Sequence, residues 1–195
     1  MAWDTAKTKQ LLLDAAVEEF AEHGPQGARV DRVAKRAGVN KERIYQYFGN
    51  KDQLFTAVLE AELAKVAAAN PLTPEQAADL GEYAGRMFDY HSTHPHFLRL
   101  LRWEGLAGDE SAVAAGGERA AHYADKVAAV AGAQRAGELS ADVDPAHLLY
   151  SVLALAGWWF TTPQVVRMVL AAGPADDSPE ARREALVRLV RRLAH

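Results

Sequence analysis

The stretch from Arg29 to Phe48, RVDRVAKRAGVNKERIYQYF, followed at once by Gly49-Asn50-Lys51-Asp52, leaves this chain few ways to fold. Val30, Val33, Ala34 and Ala37 recur at helical spacing and give a short first helix one apolar face. Gly38 stands where that helix must stop, because glycine takes a positive φ without a Cβ penalty. Val39 fills the angle that follows. Asn40 is a good N-cap for a second helix, and Glu42 in its first turn suits the positive end of the helix dipole. Ile44 and Phe48, four apart, anchor that second helix inward. Lys41, Arg43, Tyr45, Gln46 and Tyr47 are left pointing mostly outward. Two helices joined by a glycine-bearing turn, the second showing basic, amide and phenolic groups, have the layout of a helix-turn-helix that reads DNA.

Charge supports that layout. The net charge of −4 hides an uneven distribution. Between Arg29 and Lys51 there are seven Lys/Arg against two Asp/Glu, a surplus of five positive charges. Between Ala67 and Asp177 there are seven basic and fourteen acidic residues, a deficit of seven. An acidic body with a basic tip approaches DNA by the tip.

The run from about Lys9 to Leu59 resembles the DNA-binding domain of the TetR (tetracycline-repressor) family of bacterial regulators. The match is carried by Asp14-Ala15-Ala16 with Phe20 and Gly24, then Val33-Ala34 and Ala37-Gly38-Val39. Ile44-Tyr45-x-Tyr47-Phe48 and Lys51-x-x-Leu54 complete it. The resemblance implies an all-α fold: an N-terminal three-helix domain at 6–66, with its helix-turn-helix at 29–48, joined by a linking helix to a C-terminal ligand-binding and dimerisation domain at 71–195. It also places Lys41, Arg43, Tyr45, Gln46, Tyr47 and Lys51 at the family's DNA-contacting positions. Arg43 and Gln46 have the chemistry for base edges, since a guanidinium fits guanine O6/N7 and an amide fits adenine N6/N7. Tyr45, Tyr47, Lys41 and Lys51 suit phosphates. Two positions depart from the pattern. Pro25 replaces a usual aromatic, and Arg29 replaces a usual Ser or Thr. The second change removes a hydroxyl N-cap, worth roughly 0.5–2 kcal/mol, and offers a cation where the hydroxyl would have met a phosphate.

Along the chain, a short arm carrying Trp3 precedes a helix from Thr5 to His23, with Leu12, Ala16 and Phe20 facing the core and Gly24-Pro25-Gln26-Gly27 ending it. Asn50 caps a fourth helix running to about Ala69 through Leu54, Val58 and Leu63, with Gln53 placed to complete a capping box. Beyond Pro71-Leu72-Thr73-Pro74 a capping residue followed by proline recurs at Thr73-Pro74, Asp144-Pro145, Thr162-Pro163 and Ser178-Pro179. His94-Pro95 makes a weaker break, Gly108 and Gly116-Gly117 interrupt the pattern, and Gly137 stops a helix. The predicted helices are 74–93, 95–106, 117–136, 145–160, 163–171 and 179–194. No stretch alternates with a period of two, so the whole chain is expected to be helical.

The helix from Ala146 to Phe160 is apolar nearly all round, and such a helix needs covering on several sides. With the last helix, which carries Leu186, Leu189, Val190 and Leu193, it would by resemblance pair with its copy in a homodimer. A dimer would read a partial palindrome in double-stranded DNA, and a small organic ligand in the body would loosen that grip. Candidate lining residues are Phe88, His91, Arg99, Leu100, Trp103, Tyr123, Trp158 and Trp159, with Arg102 and Glu104 nearby. A mostly apolar, aromatic-rich wall suits a planar or lipophilic molecule.

Other classes fit less well. His91-x-x-His94-x-His96 straddles Pro95 and lacks a carboxylate or thiolate at ligand spacing, so no metal or other cofactor is implied. Asp89 with His91 could form an acid–base pair, but no nucleophile motif, phosphate loop or dinucleotide fingerprint accompanies it. With no cysteine and no apolar run of about 18 residues, a soluble protein of the reducing cytoplasm, away from membranes, is expected. An activator of the same fold, or an interaction module that has lost DNA binding, remains open on the sequence alone.

Overall fold

The computed structural model describes residues 5–107, 113–174 and 176–195. Trp3 and Gly108 lie outside them. Among the described residues ten α-helices follow one another: α1 (Thr5–Gly27), α2 (Val30–Ala37), α3 (Glu42–Phe48), α4 (Lys51–Ala69), α5 (Leu80–Thr93), α6 (Pro95–Ala107), α7 (Gly116–Arg135), α8 (Pro145–Thr161), α9 (Pro163–Ala171) and α10 (Pro179–Ala194). Among the described residues there is no strand, and no helix is long and apolar enough to cross a membrane. The helical expectation holds.

The chain forms two compact units. The first takes the described residues up to Lys65 together with those from His96 to Gly116; the second takes Val66–Pro95 and Gly117–His195. α6, which a boundary at Pro71–Pro74 would assign to the body, thus belongs almost entirely with the first unit.

In the first unit, Leu12, Ala16 and Phe20 of α1, Val33 of α2, Ile44 of α3, Leu54, Val58 and Leu59 of α4 and Leu100 of α6 make one buried cluster. Phe20 meets Phe55 edge-on at 5.2 Å between ring centroids. α1 is not one straight rod. Gly24 sits at φ 67°, ψ 173° and breaks the helix where the sequence predicts its end, and one further turn runs on through Pro25 to Gly27. A Cβ at Gly24 would stand 2.8 Å from the ring of Trp103. A side chain there would therefore collide as well as strain the backbone. On α4 the buried face is Leu54, Val58, Leu59 and Glu62, while Leu63 is only partly covered.

In the second unit, α5 packs on both α8 and α10, and α8 touches α9 and α10. Leu80, Tyr83, Ala84, Met87 and Phe88 of α5 meet Leu148, Leu149, Val152 and Ala156 of α8 and Leu186 and Val190 of α10. α5 and α10 come close because α5 presents Gly81 and Gly85: a Cβ on Gly81 would stand 2.8 Å from the Val187 carbonyl oxygen. Ion pairs Arg191–Asp79 (2.7 Å) and Arg183–Asp89 (2.8 Å) flank the seam.

The cap-proline pairs hold in part. Asp144 accepts from the N–H groups of Ala146 (2.9 Å) and His147 (3.4 Å), and Ser178 accepts from that of Ala181 (3.2 Å). The Thr162 hydroxyl instead turns back and donates to the Trp158 carbonyl at 3.2 Å. Thr73 and Gln76 bond each other reciprocally, but around one 3-10 turn, Gln76–Ala78. The helix predicted from 74 starts at Leu80, because Asp79 is the stronger cap and accepts from the Glu82 N–H at 3.0 Å.

Candidate nucleic-acid interface

α2, its turn and α3 form as their residues dictate. Gly38 takes φ 64°, ψ 29°, and Val39, buried, returns its N–H to the Ala34 carbonyl at 3.1 Å. This is the left-handed helix stop that the sequence anticipates. Asn40 Oδ1 accepts from the Glu42 N–H at 3.0 Å, and Lys41 already has helical angles, so Asn40 is the working cap of α3. Ile44 is fully buried, while Tyr47 and Phe48 are half-buried and meet edge-on at 6.4 Å. Lys41, Glu42, Arg43, Tyr45 and Gln46 are exposed.

The exposed groups are organised before any DNA arrives. Arg43 donates to Gln46 Oε1 at 2.8 Å. Lys41 is paired with Asp31 of α2 at 2.8 Å. That contact holds the Asp31 carboxyl below its usual range and the Lys41 ammonium above its own. Lys9 of α1 lies 5.6 Å from the Tyr47 ring centroid. Lys51, half-buried at the start of α4, reaches the carbonyls of Gln26 (3.4 Å) and Ala28 (3.5 Å) at the foot of α2.

Arg29 is exposed, at extended angles (φ −125°, ψ 121°), and makes no side-chain cap bond, as expected from the loss of a hydroxyl there. Its backbone N–H donates instead to Glu19 Oε1 of α1 at 2.8 Å. Glu19 is 1% exposed and also accepts from Arg32 Nε at 2.7 Å. Burial works to raise the Glu19 carboxyl, but the bonds from Arg32 and Arg29 and the Arg32 charge outweigh it and hold the group below the usual carboxylate range.

The ligand-pocket candidates are divided between the two units. Phe88 and His91 of α5 and Trp159 of α8 lie together in the second unit with Phe160, whose ring stands 4.9 Å from Phe88 and 6.0 Å from His91. Leu100, Trp103 and Arg99 are on α6 in the first unit, Leu100 in its core and Trp103 against Gly24. Trp158, expected on an inner face, is 60% exposed, because Val152, Ala156 and Leu149 take the inward side of α8. Tyr123 is also exposed. The three histidines part as well. His94 stacks on Tyr90 at 4.1 Å, while His96 Nε2 meets Glu62 at 2.8 Å in the first unit. Among the described residues no group of three or more acids or histidines is placed to hold a metal.

Several residues escaped sequence reasoning. Lys126 of α7 is buried and donates to the Asn70 carbonyl (3.2 Å) and the Tyr83 hydroxyl (2.8 Å). Burial, and then the charge of Arg86, lower its pKa to about 8. Arg86 in turn donates to the Pro71 carbonyl at 3.3 Å. Two cations thus take the carbonyls that follow α4, where the helix dipole is negative. The signal was available. Lys126 shares a helical face with the buried Val130 and Ala133, Glu19 with Leu12, Ala16 and Phe20, and Glu62 with Val58 and Leu59.

Comparison with known proteins agrees with this geometry. Residues 12–58 match the model of bacterial regulatory proteins of the tetR family, and residues 79–192 match a tetracyclin repressor-like C-terminal domain. The HTH-type transcriptional repressor SCO4008 of Streptomyces coelicolor is 38% identical over 192 residues, covering 98% of this chain and 97% of the relative. The HTH-type transcriptional regulator RutR of Escherichia coli K12 is 32% identical over 154 residues, 75% of this chain and 70% of the relative. The crystal structure of the transcriptional regulator SCO4942 of Streptomyces coelicolor superposes with a TM-score of 0.84 at 37% identity, covering 96% of this chain and 98% of that one. With both family models matched in order, and with the α3 surface carrying the expected polar groups, the chain belongs to the TetR family of DNA-binding transcriptional regulators.

Proposed function

We propose that the protein is a homodimeric repressor that holds a partially palindromic operator and releases it when a small organic molecule binds the C-terminal domain, residues 71–195. The observation that carries the dimer is the apolar surface of α8 and α10. These helices bury one side against α5, yet Tyr150 and Trp158 on α8 are 73% and 60% exposed, and Leu189 and Leu193 on α10 are 46% and 52% exposed. Val165, Met168 and Val169 of α9 continue the pattern. Large apolar groups left in water along adjoining helices suit a second copy of the same surface.

The 38% identical relative SCO4008 is a transcriptional repressor. Arg43 and Gln46 meet base edges, and Lys41, Tyr45, Tyr47, Lys51 and Arg29 meet phosphates. The aromatic cluster of Phe88, His91, Trp159 and Phe160 forms one wall of the ligand site. Arg86 and Lys126 give a ligand that displaces α5 or α7 a handle on the end of α4. A coupling of about 1–3 kcal/mol suffices for a 5- to 150-fold loss of operator affinity.

Sedimentation equilibrium tests the assembly. The wild-type chain is expected at twice its monomer mass and Trp158→Arg with Leu189→Asp at the monomer mass, still helical by circular dichroism. A wild-type monomer at micromolar concentration contradicts the reading.

A further inference from the structure

We propose that Glu19 is the N-terminal cap of α2, supplied from α1, and that through this cap it is a positioning residue for DNA binding.

A helix start leaves its first N–H groups without intrahelical partners. In a capping box, one is met by the side chain of the N-cap residue and another by a carboxylate at the third helical position, which reaches back to the N-cap N–H. In α2 the N-cap is Arg29, which has no acceptor, and the third helical position is Arg32, which has no carboxylate. Both roles are vacant within the helix. The carboxylate arrives from ten residues back. Glu19 Oε1 accepts the Arg29 N–H at 2.8 Å, where a box carboxylate would stand. Arg32 then does the converse of the usual residue: its guanidinium bonds Glu19 through Nε at 2.7 Å and the Gly27 carbonyl through a terminal nitrogen at 3.0 Å. The carboxylate half of the box is thus supplied from α1, while the Arg32 N–H turns to the Arg29 carbonyl at 3.0 Å.

Besides the Arg29 N–H and Arg32, Glu19 has His23 beside it, with Nε2 3.9 Å from its other oxygen. It lies on the core face of α1 and is 1% exposed, a costly place for an ionised group unless it is paired and bonded. The same contacts tie the exposed Arg32 side chain to Glu19 and to the Gly27 carbonyl, so this cation of the basic tip is engaged by the fold. α2 leads directly into the turn that aims α3. Loosening its first turn should therefore alter how α3 is presented, without removing a phosphate contact.

The distinguishing readout is rescue. Binding is measured by fluorescence anisotropy to the duplex that the wild-type protein selects from a randomised library. Glu19→Gln, nearly isosteric, keeps an acceptor but loses the charge that strengthens the bonds to the Arg29 N–H and the Arg32 guanidinium, and is expected to lower affinity about fivefold or more. The slope of log K against log salt should stay within about half a unit of wild type, because no phosphate contact is lost. Arg29→Ser adds the missing hydroxyl half of the box, on the N–H of the third helical position, and so steadies the same first turn; Glu19→Gln should cost less in that background than in wild type. A merely structural Glu19 would give costs that add. Additive costs, or an unchanged affinity in Glu19→Gln, overturn the proposal. Should Glu19→Gln fail to fold, amide exchange in the wild-type protein decides. The Arg29 N–H is expected to be protected, and free exchange there overturns the cap.

Discussion

On α3 the guanidinium of Arg43 donates to the amide oxygen of Gln46 at 2.8 Å, one helical turn away. The two side chains with base-reading chemistry therefore hold each other in place in the free protein. Arg43→Ala is expected to relax preference at one base position by about 1–3 kcal/mol, the usual worth of a bidentate contact. Gln46→Ala should relax a neighbouring position, and the double variant should lose less than the sum, with a coupling of about 0.5 kcal/mol or more. A double-mutant cycle on a selected duplex and its single-base variants measures this.

Asp31 neutralises Lys41 across the α2–α3 angle at 2.8 Å. Asp31→Asn frees that ammonium and removes a negative charge from the surface that meets phosphate. Affinity for DNA should rise, on the order of a few-fold, for selected and mixed-sequence duplexes alike. The gain should fade in high salt, where surface charges are screened. Anisotropy titrations at low and high salt check both parts.

Much of this was legible in the sequence because the first sixty residues obey local rules. Gly38, Val39, Asn40 and Ile44 each do what their chemistry favours, so the turn, the cap and the buried face follow from spacing alone. What escaped depends on contacts far apart in sequence. Asp79 outbids Thr73 as the start of α5 while it also pairs with Arg191, 112 residues on. Trp103 and Leu100 lie on α6, and that α6 packs in the first unit, with Trp103 against Gly24, is not written in its own spacing. Trp158 and Trp159 are adjacent and indistinguishable by composition, and only the packing of α8 on α5 decides which faces outward. Glu19, Glu62 and Lys126 sit at apolar positions of their helices, a departure that marks a buried polar contact but does not name its partner.

The seam between α5 and α10 has no room for a side chain at Gly81, where a Cβ would meet the Val187 carbonyl oxygen at 2.8 Å. Because the obstacle is backbone, Gly81→Ala must push the helices apart, at a cost of about 1–3 kcal/mol. At Gly85 the nearest atoms are the end of Arg183 and a methyl of Val187, at 2.9–3.0 Å, and a flexible side chain can yield. Urea unfolding should show Gly81→Ala losing more than Gly85→Ala.

Acid should weaken the second unit through His91. It is 2% exposed, and burial, with a smaller contribution from His94, pushes its pKa down to about 4. The unfolded chain takes up this proton near pH 6.5, so between pH 6.5 and 4 the unfolded state binds more protons and stability falls as pH falls. The full effect is on the order of 3 kcal/mol. In the first unit, Glu62, held low despite burial by His96 and Lys65, gives a separate loss as pH drops through the carboxylate range. Urea midpoints from pH 7 to 5 should fall in the wild type and fall less in His91→Phe.

The claim that this chain reads DNA as a symmetric pair is tested most directly by selection from a randomised duplex library with the purified protein, followed by the mass of the complex. The expected result is an inverted repeat with half-site centres about one helical turn, ~34–36 Å, apart, bound by two chains. An asymmetric site occupied by one chain, or no enriched sequence at all, would contradict it.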